Sequence, residues 1–228
     1  ADKRWTDTQK KIICNSRWDI TSELVSKINS CDAPPPVFLS GSAIGYYGNQ
    51  GDKLVTEETP PHNEFTHELC AKWETIAQSV DQAKTRVVTL RTGVVLTEKG
   101  GALGKMALPF KLGAGGTLGS GSQYLAWIHL QDMVRAISFL LENSACSGAF
   151  NLTAPEPVTN KVFSKALAKS LNRPCLFNVP GFVMKVAMGE SSTMILEGQR
   201  VIPQKLTTAG FRFDFPSIDE ALREIYRA

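Results

Sequence analysis

Two spacings of apolar residues alternate along the chain, and this alternation constrains the fold more than any other feature. Residues 19–28 and 64–80 have the 3.6-residue period of amphipathic helices. Residues 34–40 are a short apolar run that begins with three prolines, and residues 86–96 are a run rich in β-branched residues. Both runs are typical of buried strands. In the first helix one face carries four apolar side chains: Ile20, Leu24, Val25 and Ile28. Strands that alternate with helices predict an α/β fold with a parallel sheet covered on both faces.

Composition excludes several classes of protein. The formal net charge of the 228 residues is only +3 and no long basic block occurs, so a nucleic-acid partner is not indicated. No apolar stretch has the length of a membrane span, so no membrane partner is predicted. The five cysteines are widely spaced and form no CxxC pair, which predicts reduced thiols and a cytoplasmic protein.

The stretch LSGSAIGYYG, residues 39–48, directly follows the first predicted strand. In doubly wound sheets ligands bind just outside the carboxyl ends of the strands. A serine hydroxyl at this place can donate to, or accept from, a reacting oxygen. Small residues in the same place also permit a tight turn without any ligand. Spacing alone leaves both interpretations open.

Glycines are concentrated at residues 100–121, but the run matches no phosphate-binding motif in the required context. It predicts a flexible loop on the substrate side. His62, His67 and His129 are scattered without metal-ligand spacing, so no metal site is predicted.

Six segments taken together resemble one family. They are SRWDIT, LSGSAIGYYG, FTHELCAKWE, LRTGVVL, GSGSQYLAWIHLQDM and ILEGQRVIPQKLTTAGF. Their succession resembles the atypical short-chain dehydrogenase/reductase group called the NAD-dependent epimerase family. Its bacterial members are labelled nucleoside-diphosphate-sugar epimerases or cell-division inhibitors.

The resemblance implies a domain plan. Family members open with a strand, a GGTGxxG turn and a helix, and ADKRWT at the start of this chain matches a later point. We therefore expect a partial Rossmann-like, doubly wound parallel sheet that lacks its first βαβ portion. Residues 1–154 would form this NAD(P)-binding domain, with 100–128 as a substrate-side insertion. Residues 155–228 would form a smaller C-terminal α/β domain on the substrate side.

The resemblance also implies catalytic positions, and the chain departs from them. Family enzymes use a serine with a Tyr-xxx-Lys pair, and Ser42 matches the serine. Thr66 stands at the tyrosine position and Cys70 at the lysine position. Threonine is too weak an acid to replace the phenol, and cysteine lacks the fixed positive charge. Tyr46 or Tyr47 of the turn is then the candidate source of a phenol, and helical spacing alone predicts an inert, buried Cys70.

Cofactor-side residues follow from the same resemblance. Arg17 stands at the upstream asparagine position and would add positive charge near the cofactor. The other candidates are Ser40, Gly41, Arg91, Thr92, Gly93, Val94 and Val95. Two alternatives stay open for Arg91, which can pair with a carboxylate or cap its strand. Trp127 and His129 are expected to be packing and helix-entry residues, whereas Gln123 can contact substrate.

Two functions remain. The first is an NAD(P)-dependent epimerase or dehydrogenase-like oxidoreductase, with NADP favoured over NAD and a small-molecule, possible sugar-nucleotide, substrate. The second is a catalytically silent nucleotide-binding sensor or interaction protein, favoured by the missing tyrosine and lysine. The sequence does not specify an oligomeric state.

Overall fold

The computed structural model describes residues 4–227. Its helices are α1 (Asp7–Ser30), α2 (Phe65–Gln78), α3 (Gly101–Lys111), α4 (Leu130–Glu142), α5 (Asn160–Ser170), α6 (Gly181–Met188), α7 (Thr193–Leu196), α8 (Gln204–Thr208) and α9 (Ile218–Ile225). Two 3₁₀ turns span Ile44–Tyr47 and Gly189–Ser192. The strands are β1 (Val37–Ala43), β2 (Leu54–Val55), β3 (Arg86–Thr92), β4 (Val94–Leu96), β5 (Gly116–Leu118), β6 (Tyr124–Leu125), β7 (Trp127–His129), β8 (Gly148–Leu152), β9 (Val158–Thr159), β10 (Phe177–Val179) and β11 (Arg200–Val201).

A three-stranded parallel sheet lies at the centre, in the order β1-β3-β8. Its register places Ser42 beside Arg91, and Thr92 beside Leu152. Short parallel pairs β4-β7, β5-β10 and β2-β11 surround it, and β6-β9 is antiparallel. The predicted α/β class with a parallel, Rossmann-like sheet is confirmed.

Helices cover both faces of this sheet. Successive side chains along a strand point to opposite faces, and each face packs in its own apolar core. On one face Val25 of α1 and Ala77 of α2 pack with Val87 of β3. On the other face Ala136 and Leu140 of α4 pack with Val88 of β3. The central strand is therefore buried on both sides, as a strand of a parallel sheet is expected to be.

The buried face of α1 is narrower than its apolar face. Thr21 and Val25 are buried and Ile28 packs beside them, whereas Ile20 and Leu24 are exposed. The spacing places all four apolar residues on one side of the helix, but Ile20 and Leu24 lie outside the part of it that is covered. Only the part of the helix turned toward α2 and the sheet finds a partner.

The predicted strand 86–96 is two strands, because the chain is interrupted at Gly93. A Cβ atom at this position would lie 2.7 Å from the carbonyl oxygen of Ala126. No larger residue fits such a close approach of two backbones. After the break, β4 leaves β3 and pairs with β7.

The glycine run 100–121 is not the flexible loop that its composition predicts. It contains the eleven-residue helix α3 and strand β5. Leu103, Ala107 and Phe110 lie on one face of α3 and are buried in a core shared with α5 and α9. Burial of these side chains stabilises a helix that glycine alone disfavours.

Within residues 4–227, no helix has both the length and the apolar character needed to cross a membrane. All five cysteines are free thiols, as their spacing predicts.

Candidate active site

The candidate site lies where β1 and β3 end side by side, next to the first 3₁₀ turn. Ser42 and Arg91 are register partners one residue before these ends. Helix α2 runs alongside, and Cys70 and Glu74 are buried on its face toward the sheet. Residues four apart share one helix face, so α2 directs both side chains into the same region as Ser42.

A buried carboxylate joins Ser42 to Arg91. The Ser42 hydroxyl donates to Glu74 Oε1 over 2.7 Å. Arg91 forms a bidentate pair with the same carboxylate: Nε donates to Oε1 and Nη2 donates to Oε2, each over 2.8 Å. All three residues are less than 10% exposed. The pairing alternative for Arg91 is thus confirmed, and its guanidinium is directed into the protein.

Arg91 also reaches the turn. Its Nη1 donates to the Tyr47 hydroxyl over 3.0 Å and to the Glu57 carbonyl oxygen over 3.3 Å. Burial acts to lower the pKa of Arg91, but the hydrogen bonds and charge of Glu74, helped by Tyr47, outweigh it and raise the pKa. The guanidinium therefore stays charged at any physiological pH.

The two tyrosines of the turn have different environments. Tyr47 is fully buried, and its hydroxyl donates to Asn151 Oδ1 over 2.6 Å. Burial raises the pKa of Tyr47 to about 12, although Arg91 and the hydrogen bonds oppose this rise. Both hydrogen-bonding roles of its hydroxyl are used inside the protein, which assigns Tyr47 a structural role.

Tyr46 is only half-buried. Its ring lies 3.4 Å from the Arg91 guanidinium carbon and contacts His67 edge to face. His67 Nδ1 lies 2.7 Å from the Tyr46 carbonyl oxygen and must donate to it, since a carbonyl only accepts. Of the two phenols, Tyr46 is the one that remains available to a ligand.

Cys70 and Thr66, the residues at the lysine and tyrosine positions, pack against the turn. Thr66 donates to Glu64 Oε1 over 2.5 Å. Thr66 and Cys70 both lie close to Gly45 of the turn. Cys70 is 2% exposed, and burial raises its pKa to about 11, against a smaller lowering by the hydrogen bond from the Ala43 backbone. This environment supports the inert interpretation of the thiol.

Thiol labelling tests this environment. With a pKa of about 11, only roughly one Cys70 side chain in ten thousand is a thiolate at pH 7. We expect a disulfide reagent to modify the exposed Cys31 first and Cys70 last, as followed by mass spectrometry of the peptides. The variant Cys31→Ser should lose the fast phase alone. Rapid labelling of Cys70 in the folded protein would contradict the buried, neutral thiol.

Arg17 is held against its own helix rather than pointed at the strand ends. Its Nη1 donates to the Ile13 carbonyl oxygen over 3.0 Å and to Ser16 Oγ over 2.8 Å. Its charge is still close enough to contribute to lowering the pKa of Cys70. Arg17 therefore supplies positive potential at the middle of α2, and its role near a cofactor stays a prediction.

The remaining cofactor-side candidates lie along β1 and β3. Ser40 is buried, while Gly41 is exposed and a Cβ there would approach the Trp73 ring to 3.0 Å. Four consecutive half-buried residues run from the last residue of β3 into β4: Thr92, Gly93, Val94 and Val95. They form one continuous border of the carboxyl edge.

Three other sequence predictions concern residues farther along the chain. Trp127 is fully buried, and His129 caps α4 through Nδ1, which accepts from the Gln131 backbone N–H. Their predicted packing and helix-entry roles are confirmed. Gln123 uses its amide nitrogen on the carbonyl oxygens of Leu118 and Ile195, so this group is engaged within the protein. No cluster of potential metal ligands occurs among residues 4–227.

Sequence reasoning missed the polar residues that hold the site together. Glu74 is the central acceptor, and Glu57 accepts from the backbone N–H groups of Asn151 and Lys205. One signal pointed to Glu74: it follows Cys70 by four residues and therefore shares its buried helix face. Glu57 and Asn151 lie outside α2 and carry no such local signal.

Two family models match the chain. The model described as the NAD dependent epimerase/dehydratase family matches residues 1–153. A domain of unknown function, DUF1731, matches residues 179–225. Among curated relatives, the epimerase family protein YfhF of Bacillus subtilis is 40% identical over 223 residues, which cover 97% of this chain and 73% of that protein. The epimerase family protein Mb2239 of Mycobacterium bovis is 41% identical over the same shares.

Solved structures that are similar to this chain are also described as epimerases or epimerase family proteins. The human epimerase family protein SDR39U1 (isoform 2), crystallised with NADPH, superposes with a TM-score of 0.94 and 34% identity, covering 98% of this chain and 76% of that chain. A nucleoside-diphosphate sugar epimerase from Corynebacterium glutamicum has a TM-score of 0.79 and 27% identity, covering 99% and 45%. The UDP-glucose 4-epimerase of Thermus thermophilus, with a TM-score of 0.64, 18% identity and coverage of 84% and 64%, shares the fold.

Proposed function

This chain belongs to the NAD-dependent epimerase/dehydratase family, and we propose that it is an NADP(H)-binding oxidoreductase or epimerase acting on a small molecule. The observation that carries the proposal is the buried Ser42–Glu74–Arg91 cluster at the carboxyl ends of β1 and β3. Dinucleotides bind at such an edge in doubly wound sheets. The 34% identical human protein crystallised with NADPH favours NADP over NAD.

The residues at this edge fit the nicotinamide side of the cofactor. Small or slim residues line this edge of the sheet. We propose that Thr92, Gly93, Val94 and Val95 contact the nicotinamide side, with Ser40 and Gly41 on the neighbouring strand. Arg91 acts behind this edge through Glu74 and Tyr46, since its guanidinium is already bound within the protein.

The chemistry supplied by a bound nicotinamide is hydride transfer. The residues of this chain would orient the substrate for it. Ser42 binds the reacting oxygen, and Tyr46 places a phenol beside it from the turn. Cys70 is neutral and only fills space behind Ser42. Arg17 and Arg91 provide the positive charge that a lysine provides in enzymes with the complete Tyr-xxx-Lys pair.

A nucleotide-binding sensor or interaction protein is the second candidate function. The observation that favours it is specific: Thr66 and Cys70 occupy the tyrosine and lysine positions, and Tyr47 is structurally committed. Such a protein would keep the pocket without turnover. The two candidates share cofactor binding and differ in catalysis.

The domain plan and the cellular location also remain proposals. We propose that residues 1–154 bind the nucleotide and residues 155–228 form the substrate-side domain. The core shared by α3, α5 and α9 supports assigning the 100–128 insertion to the substrate side. The free thiols support a cytoplasmic location.

Cofactor titration of the full chain tests the function. We expect NADPH to quench the fluorescence of the four tryptophans with a dissociation constant in the micromolar range, and NADH to bind at least about tenfold more weakly. Ser42→Ala should retain NADPH binding, because its hydroxyl is assigned to substrate. Folded protein that binds neither nucleotide would contradict the oxidoreductase proposal and the sensor alternative together.

A further inference from the structure

The direction of the Ser42 hydrogen bond is fixed by its partner. An ionised carboxylate has no proton to donate, so Ser42 must be the donor toward Glu74. Arg91 donates to both oxygens of Glu74 inside the protein, so both oxygens act as acceptors. The single proton of the Ser42 hydroxyl is therefore committed to Glu74.

The unused capacity of Ser42 is consequently that of an acceptor. A hydroxyl has one donor and two acceptor positions. The neutral Cys70 thiol lies within hydrogen-bonding reach of Ser42 and can fill one acceptor position, so one acceptor position remains for a ligand. A carbonyl oxygen, which also only accepts, would face lone pairs at this position. A substrate hydroxyl would instead donate to Ser42 and complete its hydrogen bonding.

We propose that Glu74 is a positioning residue that makes Ser42 a hydrogen-bond acceptor, so that the site recognises the hydroxyl group of an alcohol in preference to a carbonyl oxygen. The inference rests on the proposed function, in which Ser42 contacts the substrate. It concerns recognition only and involves no proton transfer.

The rigidity of the cluster supports this assignment. Glu74 Oε1 accepts from both Ser42 and Arg91 Nε, while Oε2 accepts from Nη2. Bidentate pairing fixes the carboxylate plane as well as its position. Arg91 is itself held by Tyr47, which is held by Asn151. Reversing the Ser42 hydroxyl would therefore leave a buried carboxylate oxygen short of one donor, at a cost that a carbonyl ligand would have to offset.

The test uses a matched alcohol and ketone as probes. NADPH is titrated into the full chain alone, with cyclohexanol, and with cyclohexanone at the same concentration. We expect cyclohexanol to lower the apparent dissociation constant of NADPH more than cyclohexanone, by about threefold to tenfold, the effect of one net hydrogen bond. In the double variant Arg91→Met/Glu74→Leu both charges and the acceptor of the serine proton are removed, which frees that proton, so the preference should vanish or reverse.

A second variant keeps the test decisive where the double variant fails to fold. Ser42→Ala removes the hydroxyl but leaves the Glu74–Arg91 pair intact, and it should bind NADPH while losing the difference between the probes. Glu68→Gln, an exposed substitution on the same helix, should behave as the wild type. Equal effects of the two probes on the wild type, or an unchanged preference in either site variant, would overturn the inference while leaving NADPH binding in place. Absence of NADPH binding would overturn the proposed function itself, and this inference with it.

Discussion

Replacing Arg91 with methionine is expected to lower the free energy of unfolding by about 3–5 kcal/mol, because it strands a buried carboxylate without its counter-charge. Glu74 would keep only the Ser42 hydroxyl as a donor, and Tyr47 would lose the hydrogen bond from Nη1. For a chain of this size the loss corresponds to a fall in Tm of roughly 6–20 °C. Urea unfolding followed by circular dichroism measures it directly.

The double variant separates the pair from its surroundings. Arg91→Met combined with Glu74→Leu removes both charges, and we expect it to be more stable than Arg91→Met alone by about 2 kcal/mol or more. The exposed pair Lys169–Asp219, 3.6 Å apart, is the matched control, and Lys169→Met should cost less than about 1 kcal/mol. A single Arg91 variant as stable as that control would show that the buried pair is not what stabilises this edge of the sheet.

The contrast between these two ion pairs shows what the sequence could and could not predict. Alternating helices and strands predicted the parallel sheet, because each side-chain period depends only on local geometry. Helical spacing likewise predicted a buried Cys70. The Glu74–Arg91 pair joins a helix to a strand, and no local pattern states which charged residues will meet. Arg91 could only be given alternatives until the packing of α2 against β3 was known.

Apolar periodicity also failed to predict how much of α1 is buried and that α3 is a helix. In α1 the spacing could not tell which side of a broad apolar face meets α2, and Ile20 and Leu24 on that face are exposed. In the glycine run, weak helix propensity concealed α3, whose Leu103, Ala107 and Phe110 are buried by distant elements. Tertiary packing decided both cases, as it does whenever local preference is weak.

The candidate site shows the same limit at the level of chemistry. The position of Ser42 beside the strand ends could be predicted from the turn that follows β1. The identity of its partner could not, and the partner determines whether the hydroxyl donates or accepts. A motif can therefore place a functional group correctly and leave its hydrogen-bonding role open.

A second buried carboxylate, Asp132 at the start of α4, is expected to matter almost as much for stability. It is 0% exposed and accepts from the backbone N–H groups of Asp214 and Phe215 and from Arg135 Nη1, each over 2.9 Å. Asp132→Ala leaves the two backbone N–H groups without their partner, while Arg135 keeps its ion pair with Asp214. We expect the substitution to lower the free energy of unfolding by about 2–5 kcal/mol. Urea unfolding measures the loss.

Hydrogen exchange then locates the effect. In the wild type the amides of Asp214 and Phe215 should exchange slowly, because both are bonded to the Asp132 carboxylate. Asp132→Ala should accelerate these two amides more than any amide of the central sheet, whereas Asp132→Asn, which keeps one carbonyl oxygen, should have a smaller effect. Glu142→Ala, at the exposed opposite end of α4, is the control and should change neither stability nor exchange by a measurable amount.

Because Phe215 packs against His129, with ring centroids 4.1 Å apart, loss of the Asp132 hydrogen bonds should also loosen the cap of α4. Exchange that stays slow at both amides in Asp132→Ala would mean that packing of Phe215, and not the carboxylate, holds this segment on the helix.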